Sequence, residues 1–275
     1  MEFCVSKNKA VKMINKKTLS NGISIEYLDQ GEGDVMLLLH GLGSTKADWD
    51  FQKKAFSEAF RVIAPDLRGH GNSTKPVSEK EYGISHCGED MKLLLQTLNI
   101  EKCTVVGFSM GGAIAFDMAV KYPSLFHKIV IVNTAPDFNN LGEFGEQMIE
   151  ERTNLLKSEG MQAMAKKVSE GMFPDADQRE LQQIFYNRAS KNELKPYFNS
   201  FITLMEWGLG DEIEKITTPS LVVASEYDYT PIDSKVKYVE KMKNAKLEII
   251  KNSRHGVTMD QPKEFNKVIL NFMNS

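Results

Sequence analysis

Ser109 stands in the run Thr104-Val105-Val106-Gly107-Phe108-Ser109-Met110-Gly111-Gly112. Three β-forming residues lead into a Gly-x-Ser-x-Gly turn, and a helix-forming stretch, Ala113 to Lys121, leaves it. A strand, a sharp turn and a helix in that order hold a serine hydroxyl at a helix N-terminus, where unpaired N–H groups and the dipole favour negative charge. Gly107 and Gly111 are the small residues that such a close strand–helix crossing demands. A bare GxSxG pattern is common by chance, so its weight rests on whether the chain also supplies partners. A serine hydroxyl is a poor nucleophile at neutral pH and needs a base.

Five histidines are available: His40, His70, His86, His127 and His255. His255 follows the last strand-like run, Leu247–Ile250, and so falls at the same sheet edge as Ser109. His40 and His70 sit in His-Gly turns ahead of the serine and read as loop-shaping residues, His40 also being a candidate for substrate contact beside Gly41. His86 and His127 lie on helical or connecting segments. A carboxylate must fix the imidazole tautomer and stabilise the imidazolium. Asp228, just past the strand-like run Ser220–Ala224, fits; Glu226 and Asp233 are its rivals. A tetrahedral oxyanion further requires preorganised N–H donors. The backbone N–H of Met110 and that of Leu42, in His40-Gly41-Leu42-Gly43, are the expected pair.

These residues must be carried by a scaffold that brings their loops to one edge. Asn21-Gly22 suits a type I′ turn joining strands Lys16–Leu19 and Ile23–Leu28. Val35–Leu39, Arg61–Ala64, Thr104–Val106, Ile129–Val132, Ser220–Ala224 and Leu247–Ile250 are short apolar runs of strand length. Helical spacing appears at Trp49–Phe60, Ile84–Leu98, Ala113–Lys121, Ile232–Met242 and Pro262–Met273. Such alternation predicts an α/β protein, with a mostly parallel sheet of about eight strands covered by helices on both faces. Right-handed crossovers then line the strand C-termini along one edge. Between about Pro136 and Leu209 the alternation stops, and four helical patterns follow: Glu143–Ser158, Met161–Gly171, Asp177–Ser190 and Glu193–Trp207. We expect residues 136–210 to form an all-helical cap inserted into a core made of residues 1–135 and 211–275. Its methionines and aromatics suit an adaptable apolar wall, with Trp207 as a candidate substrate contact. Arg68, Arg254 or a lysine of the insertion are cations that could recognise a carboxylate.

The chain of 275 residues is 41% hydrophobic and 26% charged, with a net charge of −3. A slight negative excess offers no electrostatic footprint for nucleic acid or an anionic membrane. Cys4, Cys87 and Cys103 are odd in number and lack metal-ligand spacing, which predicts free thiols and no metal site. Met1–Lys17 carries no continuous apolar run, and no stretch approaches the ~20 apolar residues of a membrane span. A cytoplasmic location is the expectation. Symmetric homodimers are common among such proteins, and no feature selects or excludes one.

The segments HGLGS (His40–Ser44), DLRGHGNS (Asp66–Ser73), GFSMGG (Gly107–Gly112), Pro219–Pro231 and RHG (Arg254–Gly256) together resemble the α/β-hydrolase fold family over about Ile23–Phe272. The order Ser109, Asp228, His255 is the order of that family. Two positions depart from its common pattern: Ser225 and Arg254 stand where glycine is frequent. The resemblance implies a serine hydrolase cleaving a small carboxylic ester or lactone, similar to capped carboxylesterases and enol-lactonases, without a cofactor. Serine at the elbow argues against the epoxide-hydrolase and dehalogenase branches, which use aspartate there. Carbon–carbon hydrolysis and peracid formation would use the same triad. A ligand-binding signalling protein on this fold is the non-enzymatic alternative.

Overall fold

A computed structural model describes residues 13–275. Cys4 and the expected absence of a leader in Met1–Lys17 fall wholly or mostly outside the described residues. Eight strands form one sheet: β1 (Met13–Thr18), β2 (Ser24–Gln30), β3 (Val35–Leu39), β4 (Arg61–Pro65), β5 (Cys103–Phe108), β6 (Phe126–Val132), β7 (Ser220–Ser225) and β8 (Ala245–Ile250). Their order is β1-β2-β4-β3-β5-β6-β7-β8. β2 runs antiparallel to both β1 and β4, and every other pairing is parallel.

Nine α-helices and several short 3₁₀ turns complete the described residues: α1 (Lys53–Ser57), α2 (Ile84–Thr97), α3 (Met110–Lys121), α4 (Gly142–Met172), α5 (Arg179–Ala189), α6 (Leu194–Met205), α7 (Ile232–Lys241), α8 (Val257–Asp260) and α9 (Pro262–Met273). The central strands are apolar throughout because both faces are covered. Their side chains alternate between two cores. Leu37, Val105, Ile129 and Ile131 meet α2, α3 and α7 on one face. Met36, Leu38, Val106 and Val130 meet α1 and α9 on the other.

The expected helix Trp49–Phe60 is much shorter. A 3₁₀ turn at Lys46–Trp49 precedes α1, and the Gln52 side chain is buried, its amide donating to the Thr258 carbonyl at 2.8 Å. That bond and the burial of both Trp49 and Phe56 bend the chain between them, so one regular helix does not form.

The helices α4, α5 and α6 enter between β6 and β7 without adding a strand to the sheet. α4 is broken at Gly160, whose φ of 78° and ψ of −166° are non-helical. The break falls between the two sequence patterns Glu143–Ser158 and Met161–Gly171. A third apolar cluster, including Leu156, Met164, Tyr197 and Phe201, packs these helices together.

Candidate active site

β5 is buried along its whole length and delivers Ser109 to the edge of the sheet. Ser109 has a φ of 54° and ψ of −116°, a region that a non-glycine residue occupies only under constraint. Its N–H donates to the Val132 carbonyl at 2.9 Å, and its own carbonyl accepts from Gly112 and Ala113 at 2.8 and 3.1 Å. The crossing is close: a Cβ at Gly107 would lie 2.2 Å from the Gly111 oxygen, and one at Gly111 2.2 Å from the Leu39 oxygen. The two glycines are therefore what lets α3 start immediately beside β3 and β5.

His255, in the loop between β8 and α8, places Nε2 3.0 Å from Ser109 Oγ and Nδ1 2.6 Å from Asp228 Oδ1. The imidazole is held between rings, with Phe108 at 5.1 Å and Tyr229 stacked at 4.4 Å and 24°. Asp228 follows β7. Of its rivals, Glu226 accepts the Asn252 N–H at 2.9 Å, and Asp233 is exposed on the first turn of α7. Asp228 has a second partner that sequence reasoning missed. Lys235, with no side-chain exposure, directs its three N–H donors to Asp228 Oδ2 at 2.7 Å, the Thr230 carbonyl at 2.9 Å and Thr230 Oγ1 at 2.5 Å. Burial alone would raise the Asp228 pKa. The charges and hydrogen bonds of His255 and Lys235 outweigh it and hold the carboxyl well below the usual carboxylate range.

A polar clasp lies behind these loops. Asn133, at the end of β6 with a φ of 47°, accepts the Ser225 N–H at 2.9 Å. Its amide donates to Ser225 Oγ at 2.7 Å and to the His255 carbonyl at 2.8 Å. Ser253 Oγ lies 3.1 Å from Ser225 Oγ and 2.8 Å from Asp260 Oδ1, and the Arg254 N–H donates to Asp260 Oδ2 at 3.0 Å. Ser225 thus uses its hydroxyl, which glycine would lack, to tie the three loops.

The opposite wall is the turn after β3. Met110 opens α3, so its N–H is among those that no intrahelical carbonyl can take. Neither this group nor the Leu42 N–H meets a protein acceptor among the described residues. Two neutral histidines shape the turn. His40 donates from Nδ1 to the Gly41 carbonyl at 2.8 Å and accepts the Leu67 N–H on Nε2 at 3.0 Å. His70 donates from Nδ1 to the Arg68 carbonyl at 3.0 Å and accepts the Gly43 N–H on Nε2 at 3.1 Å. Full burial lowers the pKa of both, that of His70 to about 3, so each keeps the acceptor nitrogen its bond requires. Asp48 accepts the Gly41 N–H at 3.2 Å and the Ser44 hydroxyl at 2.5 Å, and Arg188 of α5 reaches it at 2.7 Å. Asn192 donates to the Gly43 carbonyl at 2.6 Å. The helical insertion therefore braces this turn directly.

Ser109, Asp228 and His255 border a cavity of about 100 Å³. Its walls include Gly41, Leu42 and Phe108 from the core, and Met148, Val168 and Phe201 from the inserted helices. Two expected contacts are not there. His40 is fully buried and committed to the neighbouring turn, and Trp207 lies past the end of α6, its Nε1–H donating to Asp117 of α3 at 3.2 Å. Cys87 and Cys103 are free and buried, and burial pushes both thiols up to about 12. Among the described residues no group of three His, Cys, Asp or Glu side chains could hold a metal ion. No helix there is long and apolar enough to cross a membrane.

The sheet order, the strand–turn–helix around Ser109 and the helices inserted after β6 define an α/β hydrolase. The sequence model of the alpha/beta hydrolase fold family matches residues 34–262, and the chain belongs to that family. It is 27% identical over 261 residues to 3-oxoadipate enol-lactonase 2 of Acinetobacter baylyi, covering 92% of this chain and 95% of the relative. It is 26% identical over 277 residues to epoxide hydrolase 3 of Xenopus tropicalis, covering 92% of this chain and 75% of that one. Among solved structures, an esterase from Exiguobacterium antarcticum superposes with a TM-score of 0.88 at 25% identity, covering 96% of this chain and all of the other.

Proposed function

We propose that the protein hydrolyses a small carboxylic ester or lactone through an acyl-enzyme on Ser109. The observation that carries this reading is the continuous hydrogen-bonded line Asp228–His255–Ser109, with bonds of 2.6 and 3.0 Å, opening on an apolar cavity. His255 Nε2 takes the Ser109 proton as Oγ attacks the carbonyl carbon. Asp228, kept ionised by Lys235, holds Nδ1–H in place and stabilises the imidazolium. The Leu42 and Met110 N–H groups receive the oxyanion. His255 then protonates the leaving alcohol oxygen. A water molecule, deprotonated by the same nitrogen, attacks the acyl carbonyl, and the His255 imidazolium then protonates Ser109 Oγ as the acid is released. Residues 136–210 act as a cap that forms the outer wall of the cavity.

Similarity to an enol-lactonase and an esterase supports this choice, and serine at the elbow favours it over epoxide opening. The test compares wild type with Ser109→Ala on short-chain p-nitrophenyl esters and on lactones. Wild-type turnover falling about 10³-fold or more in the variant is expected, on the scale of triad removal. Full activity in Ser109→Ala, or a wild type inert on every ester and lactone, overturns the reading.

A further inference from the structure

Besides His255, three charged side chains line the cavity: Asp48, Asp228 and Arg152. Both carboxylates are matched, Asp48 by Arg188 at 2.7 Å and Asp228 by Lys235 and His255. Arg152 has no carboxylate within ion-pair distance among the described residues; its neighbour Glu151 pairs with Lys167 at 2.7 Å instead. The guanidinium rests 5.2 Å from the centre of the Phe201 ring and lies near the buried Tyr197 hydroxyl.

Its position on α4 is telling. Phe144, Met148 and Arg152 follow one another at i, i+4 and i+8 and all line the cavity, and Leu156, four residues on, is buried in the cluster behind it. An inward stripe of a helix normally carries apolar residues throughout. A half-buried cation there bears a desolvation cost that an aromatic face and a neutral hydroxyl offset only in part. The other two arginines that might have recognised an anion are engaged elsewhere. Arg68 grips Asp90 with two bonds of 2.5 Å, and Arg254 lies over the Tyr227 ring with Asp175 at 3.6 Å. Neither lines the cavity.

We propose that Arg152 binds a carboxylate of the substrate, so that the ester or lactone cleaved at Ser109 carries a free acid group elsewhere in the molecule. The inference rests on the ester-hydrolase reading for the bond cleaved, but the anion site stands on the cavity alone. A planar guanidinium fits a carboxylate with two parallel N–H···O bonds. The apolar surroundings strengthen that pairing and leave a neutral chain of the same length without an equivalent contact. Arg152 would then set specificity by completing its own charge with the ligand's.

The test uses the mono-p-nitrophenyl esters of succinic, glutaric and adipic acids against p-nitrophenyl butyrate. In wild type the ratio of kcat/KM, best anionic ester over neutral ester, exceeds one. Arg152→Met lowers that ratio ten- to hundredfold, the scale of a lost charge-assisted hydrogen bond, and Arg152→Lys retains part of it. An unchanged ratio in Arg152→Met overturns the proposal while leaving ester hydrolysis intact. Should wild type cleave no ester, calorimetric titration of Ser109→Ala with glutarate decides the matter separately. Saturable binding that Arg152→Met abolishes upholds the anion site even as the hydrolase reading falls. Absence of binding, or binding that survives the substitution, refutes it.

Discussion

Lys235 and Arg152 occupy comparable places in their helices. On α7 and its C-cap, Ile232, Lys235, Val239 and Met242 recur at helical spacing, and the lysine among them is wholly buried. On α4 the arginine interrupts Phe144, Met148 and Leu156. In both cases a cation stands where periodicity calls for an apolar side chain, and in both it faces the reacting groups or the cavity beside them. That interruption was the available signal. Sorting residues into apolar and charged removes such cations from the inward stripe instead of marking them. Ser109, Asp228 and His255 were legible because each sits just beyond a strand-like run, where sequence position alone fixes the sheet edge. Asn133 was not, since an asparagine after a strand reads as an ordinary turn residue until Ser225 and His255 are seen to share its amide. His40 and Trp207 show the converse error. A residue type that suits substrate contact was placed near the edge but had its polar atoms claimed by backbone or by Asp117. Lys235→Met tests the cation behind Asp228. Without that charge and hydrogen bond the Asp228 carboxyl is held less far below the usual carboxylate range, so it protonates at less acid pH and the acid limb of kcat/KM against pH moves to higher pH. The Tyr229 and Tyr238 hydroxyls, which face Asp228, are unchanged by the substitution. An acid limb that stays in place would show that Lys235 only fills space.

Among the elements, β5 and α3 form the pair on which the proposed chemistry depends. Their crossing is set by backbone-to-backbone approach, and the sequence announced it through Gly107 and Gly111. Gly107→Ala would put a methyl group 2.2 Å from a carbonyl oxygen, a contact that only displacement of α3 can relieve. We expect that variant to lose stability by several kcal/mol, as overpacking at an unyielding backbone does, and activity with it. Denaturation midpoints by circular dichroism check this, and a midpoint equal to wild type would mean that α3 can shift freely. Strand positions were readable because β3 through β7 are short apolar runs with both faces covered. Helix ends were less so. The α1 region illustrates why: the Gln52–Thr258 hydrogen bond spans 206 residues of sequence, and no local pattern could report it.

For the whole molecule, the sheet, its covering helices and the insertion after β6 followed from the alternation of runs, whereas the bracing between parts did not. Two of those braces are neutral histidines. Because burial lowers the pKa of His40 and His70 in the folded protein, the unfolded chain binds more protons below the ordinary histidine value of about 6.5. Their contribution to stability is complete above that pH and is lost as pH falls towards about 3 for His70. Each contributes a slope of about 1.4 kcal/mol per pH unit inside its window. Urea midpoints should therefore decline between pH 7 and pH 4.5, and His70→Asn, which keeps an acceptor for Gly43 but cannot be protonated, should decline less steeply. Parallel slopes for the two proteins would refute this assignment. The clasp of Asn133 on Ser225 has a different consequence. It ties the end of β6, where the chain departs for the inserted helices, to the end of β7, beside a backbone register from Ile129–Ser220 to Val132–Val223 that uses none of the 87 residues between the two strands. Reactivity and selectivity are thereby written on separable stretches of one gene product. On the proposed mechanism, a change in the wall supplied by the inserted helices can alter what enters the cavity while Ser109, His255 and Asp228 keep their places on the core.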